Sequence, residues 1–516
     1  MSVSPVKAII FDLDGVITRT ASVHAQAWKQ TFDEYLEVRR KNGDSTYTPF
    51  DIKEDYRKYV DGKPRYEGVK SFLQTRGIIL PYGNPDSEPG WDTICAIGNR
   101  KNDIFHEMLS EKGPEVFTDA VDKIREWKND GFKTAVVSSS KNCKAILETA
   151  KLEDLFQVRV DGVTAEEQGL TGKPAPDIFV HASDKLGVEP RHAVVMEDAR
   201  AGVQAGRAGE FGLVVGVARE EEEQMLLQNG ADIAVRTFED IEIYSSGNYK
   251  VHPRGIPSAL EKVNEITDKI GNKKFPVFLD YDGTLTPIVK NPEDAVLSDR
   301  MRKLLKKLAN FTYTAIVSGR DLMTVKDFVQ LDELVYAGSH GFDISMSDGT
   351  RMQNEKAKTV LSDLDESEKQ LKHQLASIQG SQVERKKFSV AVHYRNVSPD
   401  KVPQLKEIVD TILSGYDNLR KGEGKMVLEL QPDIDWHKGK AVFWLLDKLN
   451  LDQSDIFPFY LGDDITDEDA MLSLQELGAG ILVGDHGQFT AARYRLKDVD
   501  QTAQFLEYLI QQLQER

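Results

Sequence analysis

Carboxylates in the pattern Asp-x-Asp-Gly occur twice in the chain, each time at the end of an apolar run. Asp12 and Asp14 close the run in IFDLDG, and Asp280 and Asp282 close the run in FLDYDG. Ligands bind at the carboxyl ends of the strands of a parallel α/β sheet. Each pair is therefore expected to present one nucleophilic and one acid–base carboxylate at the mouth of a site. Their oxygens suit Mg²⁺, and Mn²⁺ would satisfy the same ligands.

Each pair is followed by the same elements in the same order: a serine at the end of a strand, a lysine, and two adjacent carboxylates after another strand. Phosphoryl transfer from a monoester needs an attacking oxygen, a cation that gathers charge and donors around the phosphate oxygens. We expect the first aspartate to attack phosphorus, the second to transfer protons, and the serine and lysine to bind phosphate. The residues after each pair are Ser138, Lys173, Glu197 and Asp198 in the first half, and Ser318, Lys438, Asp463 and Asp464 in the second.

The metal in each half is expected to be held by the aspartate pair together with the two later carboxylates. Carboxylate oxygens are hard ligands, which is why Mg²⁺ is the expected cofactor. The predicted ligand sets are Asp12, Asp14, Glu197 and Asp198 in the first half, and Asp280, Asp282, Asp463 and Asp464 in the second.

This repeated set of motifs resembles the haloacid dehalogenase superfamily in both halves. The resemblance implies an α/β fold with two Rossmann-like parallel-sheet cores, the first with a helical cap and the second with an α/β cap. The cap positions follow from the long intervals, which lie between Asp14 and Ser138 and between Ser318 and Lys438. We expect a first domain over 1–243 with its cap at about 19–110, a linker and helix over 244–274, and a second domain over 275–516 with its cap at about 345–432.

The second half is similar to trehalose-6-phosphate phosphatases in LDYDGTLTPI, VSGRD, AGSHGFDI, HYRNV, VLELQP, KGKA and GDDITDEDA. That resemblance implies hydrolysis of trehalose 6-phosphate to trehalose and phosphate. It also implies that a Glu-x-Lys pair and a further glutamate on the cap grip the sugar hydroxyls, at Glu384, Lys386 and Glu429. Arg320 and His340 flank the expected cleft. A charged edge of an exposed sheet is the alternative for the cap residues, and a structural role is the alternative for His340.

The first half resembles the β-phosphoglucomutase branch in FDLDGVITRTASVHAQAW, DGKPR, NRKND, VVSSSKN, GKPAPDIF and MEDARAG. The resemblance implies a mutase with His24 beside the general acid, Arg65 on the distal phosphate, Lys101 on the cap, and a second anion site at Ser140, Lys141 and Asn142. His24 is equally compatible with an ordinary helix-face histidine. A broad sugar-phosphate phosphatase and a non-catalytic sugar-phosphate sensor are the alternatives, since a shared fold does not fix the substrate.

Composition limits the classes of partner. The net charge of −18 argues against nonspecific nucleic-acid binding, which needs clustered Lys and Arg. Two cysteines, Cys95 and Cys143, allow neither a disulfide framework nor a zinc knuckle. With neither a signal-like N-terminus nor a run of eighteen apolar residues, we expect a cytoplasmic enzyme that acts on small sugar phosphates without a membrane.

The β-prone runs predict where the strands lie. In the first half they fall at 7–13, 134–140, 156–162, 193–198, 212–218 and 231–236, and in the second at 276–283, 313–319, 334–344, 458–464 and 480–484. Between them, a helix at 354–380, strand-like runs at 383–395 and 425–432, and a helix at 402–416 indicate an insertion of the αββαββ type.

Overall fold

The computed structural model describes residues 5–43, 48–61, 63–219, 223–289, 291–424, 426–449 and 453–515. The chain forms two compact units, Met1–Val251 and His252–Arg516, each of which has its own α/β core. This confirms the fold class expected from the sequence. Among the described residues, no helix is both long and apolar enough to cross a bilayer.

The first unit is built on a parallel sheet with the strand order β3-β2-β1-β4-β5-β6. β1 lies in the middle of this sheet and is buried along its whole length, as its apolar sequence AIIFD requires. A separate antiparallel pair, β7 and β8, follows the sheet. The strands are Ala8–Asp12 (β1), Lys133–Val137 (β2), Val158–Val160 (β3), Ala193–Glu197 (β4), Leu213–Val217 (β5), Ile233–Val235 (β6), Ile241–Ile243 (β7) and Tyr249–Val251 (β8).

Helices lie in the connections between these strands, as in other parallel α/β sheets. The connection from β1 to β2 is the long one and holds three helices that pack around their own aromatic cluster, which includes Trp28, Phe32 and Phe72. This cluster forms a helical cap with a core separate from that of the sheet. The helices are Thr20–Lys41 (α1), Arg65–Thr75 (α2), Ile94–Lys112 (α3), Thr118–Asn129 (α4), Cys143–Ala150 (α5), Gly162–Gln168 (α6), Asp177–Leu186 (α7), Arg200–Ala208 (α8) and Glu223–Gln228 (α9).

The second unit has a mostly parallel sheet with the strand order β13-β12-β11-β10-β9-β18-β19-β20. β11–β12 and β12–β13 pair antiparallel, and the other neighbours pair parallel. As in the first unit, the strand that ends in the aspartate pair is central. These strands are Val277–Leu279 (β9), Thr314–Val317 (β10), Val335–Gly338 (β11), Asp343–Ser345 (β12), Arg351–Gln353 (β13), Phe459–Gly462 (β18), Ala479–Val483 (β19) and Tyr494–Leu496 (β20).

Between β13 and β18 the chain forms an antiparallel sheet of the order β14-β15-β17-β16, covered by two helices. Leu364 and Leu405 on the helices and Val390 and Leu428 on the strands share one buried cluster. The element order is the αββαββ order expected from the sequence. The elements are Leu361–Leu375 (α14), Gln382–Lys386 (β14), Ser389–His393 (β15), Val402–Leu413 (α15), Leu419–Gly424 (β16) and Val427–Pro432 (β17). The predicted run at 425–432 begins at Lys425, which lies outside the described residues.

The remaining helices of the second unit flank its main sheet or precede the cap. They are Val263–Ile270 (α10), Asp299–Ala309 (α11), Leu322–Val329 (α12), Glu355–Lys358 (α13), Lys438–Lys448 (α16), Glu468–Leu474 (α17) and Val499–Glu515 (α18).

Two predicted strands of the second unit are each interrupted by a turn. The run 334–344 divides into β11 and β12, because Ser339 and His340 adopt left-handed φ values of 49° and 56° and reverse the chain. The run 383–395 divides into β14 and β15, which form a hairpin around Lys387 and Phe388. The predicted helix 354–380 is likewise split into α13 and α14.

The predicted linker 244–274 contains regular structure at both ends. β8 lies inside it and pairs with β7 of the first unit, and α10 belongs to the second unit. Ile266 and Ile270 of α10 are buried in the second unit's main core, as the amphipathic pattern predicts. The exact domain limits stay a prediction.

Candidate active sites

In the first unit, the strand ends bring the predicted residues to one edge of the sheet. Asp12 is the last residue of β1, Ser138 follows β2, and Glu197 ends β4 and is followed by Asp198. Lys173 comes from the loop before α7. All the side chains predicted for this half line one cleft of about 290 Å³. The predicted residues therefore share one cleft, and the role of each stays a prediction.

A buried lysine holds the acidic groups of this cleft together. Its ammonium group is 2.6 Å from Glu197 Oε1 and also donates to Asp12 Oδ1. All three side chains are less than a tenth exposed. Burial raises the pKa of Asp12 to about 8, against the opposing effect of Lys173 and with further increases from Glu197 and Asp14. Burial, followed by the charges of Glu197 and Asp12, also raises the pKa of Asp198.

This charge balance fits a divalent cation. Asp12, Glu197 and Asp198 each have a carboxylate oxygen within 4.8 Å of the others, and one lysine cannot balance three clustered acids, of which Asp12 and Glu197 are buried. Gly15, with φ of 86°, leaves the space that the Asp198 carboxylate occupies, because a Cβ there would lie 1.8 Å from Asp198 Oδ2. The fourth predicted ligand, Asp14, accepts a hydrogen bond from Ser138 Oγ at 3.3 Å and lies 3.7 Å from His24 Nε2. The Asp14 carboxylate is outside the cluster found among the described residues.

The cap of the first unit contributes two groups of side chains to the cleft. His24 Nδ1 lies 2.7 Å from Lys101 Nζ, and its ring stacks on Phe105 at 4.0 Å. Burial, with the charges of Lys101 and Arg65, lowers the pKa of His24, and burial also lowers the pKa of Lys101 to about 7. A neutral His24 can accept a hydrogen bond from Lys101 and present its other nitrogen toward Asp14.

The second group joins the cap to the sheet through Asn102, which the sequence analysis did not select. Arg65 Nη2 and Asn142 Nδ2 both donate to Asn102 Oδ1, at 2.9 and 2.8 Å. Ser140 Oγ accepts a hydrogen bond from the backbone amide of Asn142 at 3.1 Å. Lys141 Nζ is instead paired with Glu166 at 2.5 Å. Arg65, Ser140 and Asn142 are thus brought together, while Lys141 faces a carboxylate on α6.

The second unit repeats the arrangement of lysine and carboxylates with one change. Lys438 Nζ lies 2.8 Å from Asp280 Oδ1 and 2.6 Å from Asp467 Oδ1. Burial, opposed by Lys438 and reinforced by Asp467 and Asp463, raises the pKa of Asp280. The carboxylate cluster that suits a metal consists of Asp280, Asp463 and Asp467. Here too the acids outnumber the lysine, so a divalent cation fits the donor set.

Asp282 and Asp464 lie in the same cleft but outside that cluster. Both oxygens of Asp282 are bound by Arg320, each at 2.7 Å. Asp464 begins the short helical turn 465–467, and its Oδ1 has no hydrogen-bond partner among the described residues. Their assignment as metal ligands stays a prediction. Ser318, which is buried, accepts a hydrogen bond from the Arg320 amide at 3.1 Å.

The cap residues predicted to grip a sugar face this cleft, which has a volume of about 370 Å³. Glu429 Oε1 lies 2.9 Å from Lys386 Nζ, and Glu429 Oε2 lies 3.2 Å from His340 Nε2. Burial alone would raise the pKa of Glu429, but Lys386 and His340 outweigh it and hold the pKa well below its ordinary value. Glu384 pairs with His393 at 2.8 Å, a partner that the sequence analysis did not select. Lys386, Glu429 and His340 are thus linked to one another, whereas Glu384, on the edge strand β14, is linked to His393. Their role in binding a sugar stays a prediction.

Comparisons with known proteins match a different family in each half of the chain. The family model for haloacid dehalogenase-like hydrolases matches residues 6–209, and the trehalose-phosphatase model matches residues 278–500. A β-phosphoglucomutase of Mycobacterium bovis is 45% identical over 239 residues, which are 46% of this chain and 91% of that protein. A trehalose-phosphate phosphatase of Mycobacterium leprae is 36% identical over 406 residues, which are 76% of this chain and 91% of that protein.

The chain belongs to the haloacid dehalogenase-like hydrolases in its first half and to the trehalose-phosphatase family in its second half. An uncharacterized glycosyl hydrolase of Mycobacterium tuberculosis is similar to both halves at once. It is 37% identical over 514 residues, which are 98% of this chain. The chain spans 38% of that relative's length.

Asp467 is the main residue of the trehalose-phosphatase half that sequence reasoning missed. Its Oδ1 accepts from Lys438 and from the Tyr460 hydroxyl at 2.5 Å, and its Oδ2 accepts from the amides of Asp463 and Asp464 at 3.1 and 3.0 Å. Glu197 binds the corresponding lysine in the first half. The counterpart of Glu197 in the second half is therefore Asp467, and neither Asp463 nor Asp464.

The structural equivalence of Asp198 and Asp463 supports this alignment. A Cβ on Gly283 would lie 2.1 Å from Asp463 Oδ2, just as one on Gly15 would meet Asp198. The available signal in the sequence was the acidic run DDITDED, in which Asp467 stands four positions after Asp463.

We predict that Asp467→Asn destabilises the second unit by about 3–5 kcal/mol, because it breaks a buried ion pair and places an amide donor among four donors. Hydrogen exchange of the slowest amides in β9 and β18 measures the change in local unfolding free energy. Asp464→Asn is the matched control. Asparagine begins a helical turn as well as aspartate, so a change below about 1 kcal/mol is expected. Equal losses in both variants would contradict the role given to Asp467.

Proposed function

We propose that the second unit hydrolyses trehalose 6-phosphate to trehalose and phosphate with Mg²⁺, and that the first unit is a sugar-phosphate mutase acting on β-glucose 1-phosphate and glucose 6-phosphate. One observation carries the first part. A single cleft contains the buried Asp280–Lys438 pair and the cap network of Glu384, Lys386 and Glu429. The similarity to a trehalose-phosphate phosphatase supports the substrate.

The chemistry of the second unit follows from the two aspartates. Asp280 attacks phosphorus, so that a bond forms from its carboxylate oxygen while the ester bond to the sugar breaks. Asp282 gives a proton to the leaving sugar oxygen and later takes one from the water that attacks the aspartyl-phosphate. Arg320 binds both oxygens of Asp282, and each oxygen keeps a second lone pair that can carry the proton. Lys438 and Ser318 hold the phosphate oxygens.

Asp280 and Asp463 are the side chains best placed to hold Mg²⁺, since Asp467 already accepts four hydrogen bonds. A bound Mg²⁺ would offset the charge of the phosphate and of the acidic cluster. Gly283 makes room for the Asp463 carboxylate, and its φ of 77° favours glycine.

We predict that Asp280→Asn abolishes phosphate release from trehalose 6-phosphate, whereas Asp12→Asn leaves it within about twofold of the unchanged protein. The amide cannot form the aspartyl-phosphate, and the loss expected for a missing nucleophile is at least about 10³-fold. Phosphate release with Mg²⁺ is measured for the full chain and both variants. Equal loss in the two variants, or no release by the unchanged protein, would sink this assignment.

We predict that Gly283→Ala raises the Mg²⁺ concentration needed for half-maximal activity by about tenfold or more, since the new Cβ displaces Asp463. Gly349→Ala is the matched control, because Gly349 has φ of 84° and nothing within 4 Å of the position of a Cβ. Both substitutions carry a similar backbone strain. The Mg²⁺ dependence of initial rates separates the effects, and an equal shift in the two variants would show that strain alone is responsible.

The proposal for the first unit is supported by its second set of polar groups. A mutase must hold a second phosphate while the sugar bisphosphate turns over, so it needs two anion sites. Lys173 lies at one side of the cleft, and Arg65 with Asn142 shares Asn102 at another. The 45% identity to a β-phosphoglucomutase supports the same reaction.

We predict that the Asp280→Asn variant converts β-glucose 1-phosphate to glucose 6-phosphate, and that glucose 1,6-bisphosphate primes the reaction. A coupled assay for glucose 6-phosphate measures the rate without the second site. Asp12→Asn in the same background should remove it. Release of free phosphate instead would indicate a phosphatase, and binding without turnover would indicate a sensor. Either result would overturn the mutase proposal.

A further inference from the structure

Asp321 is an aspartate that stands just before α12 but does not cap that helix. Among the described residues, its side chain makes no hydrogen bond to the first turn of α12. Its Oδ1 and Oδ2 instead accept from the Lys387 amide at 2.9 and 3.0 Å, and Oδ1 also accepts from Ser339 Oγ at 2.8 Å. Aspartate is well suited to bind the first turn of a helix, but Asp321 instead joins a turn of the main sheet to the β14–β15 hairpin of the inserted cap domain.

We propose that Asp321 is a positioning residue that sets Lys386 and His340 on the two sides of Glu429. The inference rests on the proposed phosphatase function and goes beyond it by naming how the sugar-gripping network is held. Asp321 lies on the main sheet's side of the cleft and is not itself a member of that network.

The first connection runs through the cap hairpin. Asp321 fixes the amide of Lys387, and because the peptide group is planar, this also fixes the carbonyl end of Lys386. The Lys386 side chain then reaches Glu429 Oε1 at 2.9 Å and the Gly319 carbonyl at 3.3 Å. Burial lowers the pKa of Lys386, but Glu429, Glu384 and, to a smaller extent, Asp321 outweigh it and raise the pKa. Lys386 therefore remains a cation at the point where the cap meets the sheet.

The second connection runs through the left-handed turn. Ser339 and His340 both have positive φ, a conformation that is uncommon for residues other than glycine and that is held here by neighbouring contacts. The Ser339 amide donates to the Arg320 carbonyl at 2.7 Å, the His340 amide donates to the Ser318 carbonyl at 2.9 Å, and Asp321 binds the Ser339 hydroxyl. His340 Nε2 consequently lies 3.2 Å from Glu429 Oε2. The two connections from Asp321 end on the two oxygens of one carboxylate.

Other contacts hold the same hairpin in place without Asp321. Lys387 Nζ pairs with Asp343 at 2.9 Å, and Phe388 packs against Phe342 with ring centroids 5.8 Å apart. Loss of the Asp321 carboxylate should therefore leave the cap on the sheet. It should instead change the orientation of the Lys386 and His340 side chains toward the sugar.

We expect Asp321→Ala to raise the KM for trehalose 6-phosphate about tenfold or more, because the Lys387 amide and the Ser339 hydroxyl both lose a charged acceptor. Turnover of p-nitrophenyl phosphate, which offers no sugar hydroxyls, should change less than about twofold. Asp321→Asn should recover most of the affinity, since its oxygen accepts from Lys387 and its amide can donate to Ser339. The matched control is Asp327→Ala, which removes an exposed aspartate from the same helix.

Hydrogen exchange at the Lys387 amide gives a readout that does not depend on the substrate. It should speed up about tenfold or more in Asp321→Ala and remain unchanged in Asp327→Ala, with β10 amides as an internal reference. Faster exchange with an unchanged KM, or equal losses with both substrates, would overturn the positioning role. If the unchanged protein turns over only p-nitrophenyl phosphate, the trehalose assignment fails. In that case, if exchange at the Lys387 amide is unchanged in Asp321→Ala, the proposed connection from Asp321 to Lys386 is refuted separately.

Discussion

A buried lysine bridging two carboxylates is the interaction on which each unit depends. Lys173 and Lys438 each contact the aspartate at the end of the central strand and a second buried acid. Removing such charges from water is costly, and the cost is offset only when the partners are held in good geometry. The sheets provide that geometry, because their central strands deliver the aspartate and a neighbouring strand end or turn delivers the second acid. The carboxylates in excess of the lysine give each site a donor set that could hold a cation.

The two units meet this requirement with different backbones. In the first, Glu197 ends β4 and its longer side chain reaches the lysine, while the next residue, Asp198, faces Gly15. In the second, the chain turns once after β18, and Asp467 reaches the lysine from within that turn. The same carboxylate ties down the turn by accepting two backbone amides. Because aspartate is shorter than glutamate, Asp467 reaches the lysine only from a turn after β18. Its carboxylate also stabilises that turn.

The sequence was sufficient for the features that depend on strand ends. Asp12, Asp280, Ser138 and Ser318 follow apolar runs, and most strands of the two main sheets were predicted from such runs. Lys173 and Lys438 lie in a loop and at the start of a helix, and the order of the motifs indicated them. Asp467, Asn102 and Asp321 could not be assigned in this way, because their roles depend on tertiary contacts with residues far away in the chain. The break at Ser339 and His340 was missed for a related reason. Positive φ is uncommon for any residue other than glycine, although histidine adopts it more often than most, so the two residue types alone did not indicate this turn.

Under the proposed function, the cap of the second unit would separate selection of the sugar from the chemistry. Glu429 already has Lys386, Ser389 and His340 as partners, so its charge is balanced before any ligand arrives. A sugar phosphate therefore gains little from simple attraction to this carboxylate. It gains only if its hydroxyls replace existing hydrogen bonds with equally good geometry, and a sugar that displaces a partner without replacing it leaves a buried group unpaired. A fully hydrogen-bonded network thus discriminates between sugars more strictly than a set of unpaired charges would, provided that its side chains are held in fixed positions.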